Sequence, residues 1–257
     1  MTDKIISIDL KADFGFLKKP DINEGIYLTY NMLHKPVFLG ILGAIIGLEG
    51  YQTKNKLPEY YRLLKDLKIG VEPLNADRGN FLKTVVQYNN GVGYASQEAG
   101  GNLIIKEQIL IKPAYRCFML LNSEYSYHQQ LADFLQNRKA EYLPYLGKND
   151  FSLWWENWQE YDFEVFDFNR EFKIKTIFMK NGEIIKDAIK RKMLFSLGSN
   201  SKERMFVYFE ELPIGFNEIL MQYEKQQFVF TNFSLKKELQ LEGLYQLKGC
   251  NELIQLF

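Results

Sequence analysis

The 257-residue chain is 46% hydrophobic, enough for a sizeable core and too much for a disordered chain, and its 32 lysines and arginines are matched by 32 acidic residues. That balance excludes a protein that meets nucleic acid through an overall positive field, so any such surface must be a local patch. Two cysteines, Cys117 in an apolar run and Cys250 near the end, lack the spacing of a zinc knuckle or a redox motif, and both are expected to be buried free thiols.

The opening MTDKIISIDL has no basic segment leading into a sustained apolar stretch, so no signal peptide and a cytoplasmic address are expected. From Lys4 the chain alternates, with Ile6, Ile8, Leu10 and Ala12 on one side and Ser7, Asp9 and Lys11 on the other, the period of a half-buried strand. Residues 15–35 have no sustained periodicity and carry Pro20, Gly25 and the pair Lys18 and Lys19, which predicts a long connecting loop. Pro36 then opens VFLGILGAIIGL, apolar on every side, which predicts a buried helix far short of the roughly 20 residues that span a bilayer. Gly40, Gly43 and Gly47 fall on one face of that helix and clear it for close packing or for the approach of another backbone. Tyr60, Leu63, Leu64 and Leu67 predict a short amphipathic helix after it.

The segments FLKTVVQY and NLIIKEQILI read as strands, and the glycine- and asparagine-rich NNGVGYASQEAGGN between them predicts a long hairpin with a protruding tip. AYRCFMLLN after Pro113 is a further strand, and Leu131, Phe134 and Leu135 mark an amphipathic helix ending in basic residues. Strand, helix, long hairpin, strand, helix and strand together suggest a ferredoxin-like βαββαβ lobe over residues 1–150 with the hairpin, about residues 81–112, inserted in it. From about Phe151 short strands and the cluster Trp154, Trp155 and Trp158 predict a smaller β-rich lobe over residues 151–257, with a hairpin at Asn181 and Gly182. No polar linker separates the two lobes, so they are expected to pack together.

Chemistry-bearing motifs are few. Two histidines, His34 and His128, give little material for a metal site or a serine triad, and neither GILGAIIG nor GLEGY has the lysine and hydroxyl order of a phosphate loop. Acidic residues are scattered, no cofactor or metal is expected, and no catalytic constellation stands out. Basic and amide-bearing loops do stand next to ordered elements: Lys18 and Lys19; Asn31, His34 and Lys35 at a helix entrance; and Lys83, Gln87, Asn89 and Asn90 entering the hairpin. A helix N-terminus beside lysine attracts phosphate through its free N–H groups and dipole.

These residues resemble the CRISPR-associated Cas-five family of RNA-binding Cascade subunits over nearly the whole chain. LTYNMLHKPVFLGILGAIIGLEGY is similar to the family's Thr-Tyr, loop, basic-proline and glycine-rich helix; DFGFLKKPD, IKPAYRCFML, EYLPYLGKNDF, ELPIGFN and FVFTNF resemble later parts. Lys18 and Lys19 stand where the family commonly has an arginine. The resemblance implies an RRM-like lobe and a thumb, residues 89–102, that cap the 5′ handle of crRNA, with a Cascade backbone subunit and large subunit as neighbours and target DNA met only through the complex. It adds Tyr94, Tyr145 and Lys148 to the RNA-contact candidates, and the texture is nearest type I-B. Because one branch of the family cleaves precursor RNA, the alternative is a metal-independent endoribonuclease using Tyr30, His34 and Lys35. A protein-only scaffold docking through the tryptophan cluster is the third reading.

Overall fold

The computed structural model describes residues 3–21, 25–90, 103–179, 195–196 and 204–257. In chain order its first elements are β1 (Lys4–Ala12), β2 (Phe14–Gly15), β3 (Ile26–Tyr27), α1 (Lys35–Ile46), α2 (Glu59–Leu64) and β4 (Ile69–Pro73). Then come β5 (Lys83–Asn90), β6 (Leu103–Ile111), β7 (Ala114–Leu121), α3 (Ser126–Gln136), β8 (Leu153–Tyr161) and β9 (Phe163–Val165). The chain finishes with β10 (Phe178–Met179), β11 (Phe195–Ser196), β12 (Val207–Asn217), β13 (Gln222–Thr231), β14 (Ser234–Leu235), β15 (Leu244–Leu247) and β16 (Leu253–Gln255). Among the described residues no helix is long and apolar enough to cross a membrane.

The central sheet has the order β4-β7-β1-β8 with every neighbour antiparallel. Its fourth strand, β8, lies beyond residue 150 and pairs with β1. Ile6, Ile8, Leu10 and Ala12 of β1 meet Phe38, Leu39, Leu42 and Ile45 of α1 and Leu131 and Leu135 of α3 in the main core. Burying side chains of this size stabilises by roughly 1.5–3 kcal/mol each.

The other face of β1 departs from the half-buried reading. Ile5, Ser7 and Asp9 are buried as well; over Ile5 and Phe118 the cover is Tyr245 and Leu247 of β15, Ile254 of β16 and Leu256 just after it. Asp9 tolerates this cover because Arg116 donates to both its carboxylate oxygens, at 2.7 and 3.0 Å, and Asn157 donates at 2.8 Å. Burial pushes the Asp9 carboxyl up, and those donors outweigh it and hold the group below the usual carboxylate range. Asn157 reaches Asp9 from a left-handed backbone position, φ 56°, at a register shift between β1 and β8.

Two further expectations change. The loop predicted over residues 15–35 contains the end of β2 and all of β3, which pair with β6, and a bridge between Lys18 and Thr29. Cys250 is exposed and only Cys117 is buried, since residues 248–251 form the turn between β15 and β16. The segment Ile69–Pro73, not anticipated as a strand, supplies the edge strand β4, because its glycine and proline obscure the alternation that would mark it.

Helix α1 runs as predicted and stops at Gly47, whose φ of 80° lets its amide return to the Gly43 carbonyl. A Cβ on Gly43 would lie 2.4 Å from Tyr60 Cβ, so this glycine exists for contact with α2. The C-terminal strands build a second apolar cluster around Phe166, Phe172, Phe178, Val229 and Leu235. Phe257 exchanges backbone hydrogen bonds with Ile69 of β4 at 2.9 and 3.0 Å and so ties this part to the central sheet. The hairpin expected at Asn181 and Gly182 lies outside the described residues.

Candidate nucleic-acid interface

Strands β5 and β6 pair without a break from Lys83↔Leu110 to Asn90↔Leu103, and the root of β6 is held on its other edge by β2 and β3. Cross-strand partners share a face, so this register sorts the hairpin into two surfaces. One carries Thr84, Val86 and Tyr88 with Ile105, Glu107 and Ile109. Phe16, Phe151 and Tyr27 pack on it and make a small apolar cluster. The other carries Lys83, Val85, Gln87 and Asn89 with Ile104, Lys106, Gln108 and, at the buried root, Leu110, and among the described residues of the hairpin no carboxylate. It combines two cations, three amides and the exposed aliphatics Val85 and Ile104. Such a strip follows an RNA backbone with its ammonium and amide groups while the apolar side chains rest against ribose or base.

Three predicted residues meet where this face enters the body. The Asn31 side chain is buried, donating to the Gly79 carbonyl at 2.6 Å and accepting from the Phe81 amide at 3.1 Å and the Lys83 ammonium at 2.8 Å. Glu210 of β12 takes the Asn31 amide at 2.9 Å, the Met32 amide at 3.0 Å and the Tyr208 hydroxyl at 2.9 Å, and the Lys19 ammonium stands 3.6 Å from it. Partial burial lowers the Lys83 pKa despite the pull of Glu210. Asn31 therefore positions Lys83, with its side-chain oxygen shared between the Phe81 amide and the Lys83 ammonium.

The remaining candidates are dispersed. Lys18 lies over the Tyr27 ring at 3.9 Å. Lys148 is on the opposite hairpin face, paired with Glu107 at 2.7 Å and over the Tyr88 ring at 4.2 Å. Gln87 donates to Asn89 at 3.4 Å, which keeps both amides on the basic face. Asn90 pairs through its backbone with Leu103, and Tyr94 lies outside the described residues. Tyr145, half exposed, lines a groove of about 630 Å³ with Gly40, Tyr51, Tyr60, Phe216 and Tyr223.

His34 and Lys35 do not form the open helix entrance that was expected. His34 is the N-cap residue, buried between the rings of Tyr30 and Tyr223 at 5.0 and 5.6 Å, and burial takes its pKa down to about 3. The Lys35 ammonium points to the Phe257 carbonyl at 3.2 Å, and burial lowers its pKa to about 8. Lys106, Gln108 and Glu210 were missed from the sequence. The first two were within reach, since the hairpin register places Lys106 opposite Gln87; Glu210 carries no local signal. Among the described residues no group of acidic, histidine and cysteine side chains is placed to hold a metal ion.

The molecule is thus an α+β protein of mainly antiparallel sheets whose basic hairpin face ends in a cluster of polar side chains. No protein-family model and no curated protein matches the sequence. Solved structures do. A chain of the type III-B Cmr-beta complex bound to cognate target RNA and AMPPnP is similar with a TM-score of 0.53 at 10% identity, over 91% of this chain and 86% of that one. A chain of Cmr-beta bound to cognate target RNA gives 0.50 at 8% identity, over 91% and 87%. A CRISPR protein from Archaeoglobus fulgidus gives 0.48 at 12% identity, over 98% and 97%. The two Cmr-beta likenesses show a shared fold.

Proposed function

We propose that this chain is a non-catalytic RNA-binding subunit of a CRISPR RNA-guided complex, gripping the repeat-derived 5′ handle of crRNA with the β5–β6 hairpin as its thumb. The observation that carries the reading is the acid-free hairpin face, Lys83, Gln87, Asn89, Lys106 and Gln108, on a chain whose overall charge is zero. Local concentration of cations is what an RNA grip requires when no global field exists. The strand order β4-β7-β1-β8 with its helical connections supports reading residues 1–161, rather than 1–150, as the ferredoxin-like lobe. A Cascade backbone subunit and a large subunit are the proposed neighbours, with target DNA met through the complex. The type I-B assignment is carried by the sequence resemblance, since the Cmr-beta chains of similar fold come from a type III-B complex.

The geometry favours binding over cleavage. His34, enclosed and held neutral, and Lys35, turned to the Phe257 carbonyl, are not arranged around a space where a phosphodiester could sit. The test is retention of 5′-labelled repeat RNA by the purified protein against a scrambled RNA of equal length, in EDTA. Preferential retention without cutting is expected. Equal retention sinks the handle reading, and a discrete cut abolished by His34→Ala sinks the non-catalytic one.

A further inference from the structure

The Asn31 and Met32 amides, two successive backbone donors aimed at one carboxylate, make the kind of concavity that holds an anion. Its occupant arrives from 178 residues further along the chain, on the long β12–β13 hairpin, and the Glu210 side chain is only 7% exposed. Two cations face it: Lys19 at 3.6 Å, and Lys83, which is held by Asn31. The same hairpin covers the neighbouring residues at other points, with Tyr223 against His34 and Lys225 paired with Asp21. Beneath this cover the Tyr30 hydroxyl and His34 Nδ1 are buried with no hydrogen-bond partner, an arrangement that costs free energy and is relieved by any movement that admits a polar group.

A chain of phosphates following Lys106, Gln87 and Lys83 down the hairpin face would meet this carboxylate at the end of its track. Like charges do not share an amide pair, so either the RNA stops short or Glu210 gives way. We propose that the Asn31–Met32 amides, Lys19 and Lys83 form an anion site for one RNA phosphate, and that Glu210 occupies it as an internal competitor. This rests on the RNA-binding reading for the source of the phosphate, but the anion site can be tested without RNA.

The test uses full-length wild type and Glu210→Gln, which keeps the shape and removes the charge. Inorganic phosphate is titrated at constant ionic strength against chloride, and thermal unfolding is followed. The variant is expected to gain roughly 2–4 °C at phosphate about ten times above its dissociation constant, while wild type does not move. Equal shifts in the two proteins, or none, overturn the site. In a second arm, single-stranded repeat RNA is bound at several salt concentrations; the variant's log–log salt slope should steepen by about 0.7, one extra phosphate, with affinity near 0.1 M salt rising about fivefold. An unchanged slope overturns the competition with RNA. A phosphate shift with no RNA bound by either protein keeps the anion site and removes the nucleic-acid reading. Should Glu210→Gln fail to fold, Tyr208→Phe, which removes one donor from the carboxylate, should give a smaller shift of the same sign; no shift there overturns the site.

Discussion

Lys106→Gln isolates the charge of the hairpin face. Lys106 is exposed, stands opposite Gln87 in β5, and has Ile26 of β3 on its other side. Its loss removes no buried partner, and an exposed substitution of this kind changes stability by no more than about 0.5 kcal/mol. If its ammonium meets one RNA phosphate, the salt slope of binding to single-stranded RNA falls by about 0.7, and affinity near 0.1 M salt falls about fivefold. The assay is fluorescence anisotropy with labelled repeat RNA between 50 and 300 mM salt, using roughly four concentrations to define the slope. Lys248→Gln, an exposed lysine at the β15–β16 turn, is the control and should leave the slope unchanged. A Lys106→Gln protein with wild-type thermal stability and wild-type slope would refute the assignment of this face to RNA.

Asn31→Ala should cost about 2–4 kcal/mol in denaturant unfolding, since it strands the buried Phe81 amide and the Lys83 ammonium; a loss below 1 kcal/mol would mean water replaces the side chain. Gly147→Ala places a Cβ 1.8 Å from the Phe16 carbonyl at a φ of 87°, so the variant should be expressed poorly or lose several degrees in Tm, as judged by thermal scanning. Glu72, in β4, is buried with one carboxylate oxygen unpartnered, and burial raises its pKa from 4.5 to about 7 against the pull of Lys175 and Arg116. The native state then holds the proton more tightly than the unfolded state, so stability falls as pH rises from about 4.5 to about 7, by up to about 3 kcal/mol for a shift of this size. Glu72→Gln should remove that slope and be the more stable protein above pH 7, as read by urea unfolding across the window; an identical pH dependence in both proteins would show Glu72 to be ionised throughout.

The local elements were legible because their signals are local. Alternation in β1, the apolar run of β7 and the unbroken apolar run from Pro36 are read along the chain without reference to distant residues. The composition of the hairpin face was partly legible too: Lys83, Gln87 and Asn89 alternate along one strand, and the register supplied Lys106 and Gln108. Lys148 could not be assigned in this way, because the side of the hairpin it meets depends on how the loop after α3 folds back upon β6.

What the sequence determined was therefore an α+β chain with an aromatic core, no net field, a glycine-cleared helix and a polar hairpin. Tertiary structure decided which polar groups remained available. Asn31, His34 and Lys35 look alike in sequence as residues of a helix entrance, yet β12, β13 and the Phe257 carbonyl enclose all three. The same long-range packing buried both faces of β1 and brought Glu210 to the amides of Asn31 and Met32. The physical reason is that periodicity specifies which side chains share a face, whereas the cover on that face, and the counter-charge that satisfies it, come from segments whose pairing is settled only when the whole chain has packed.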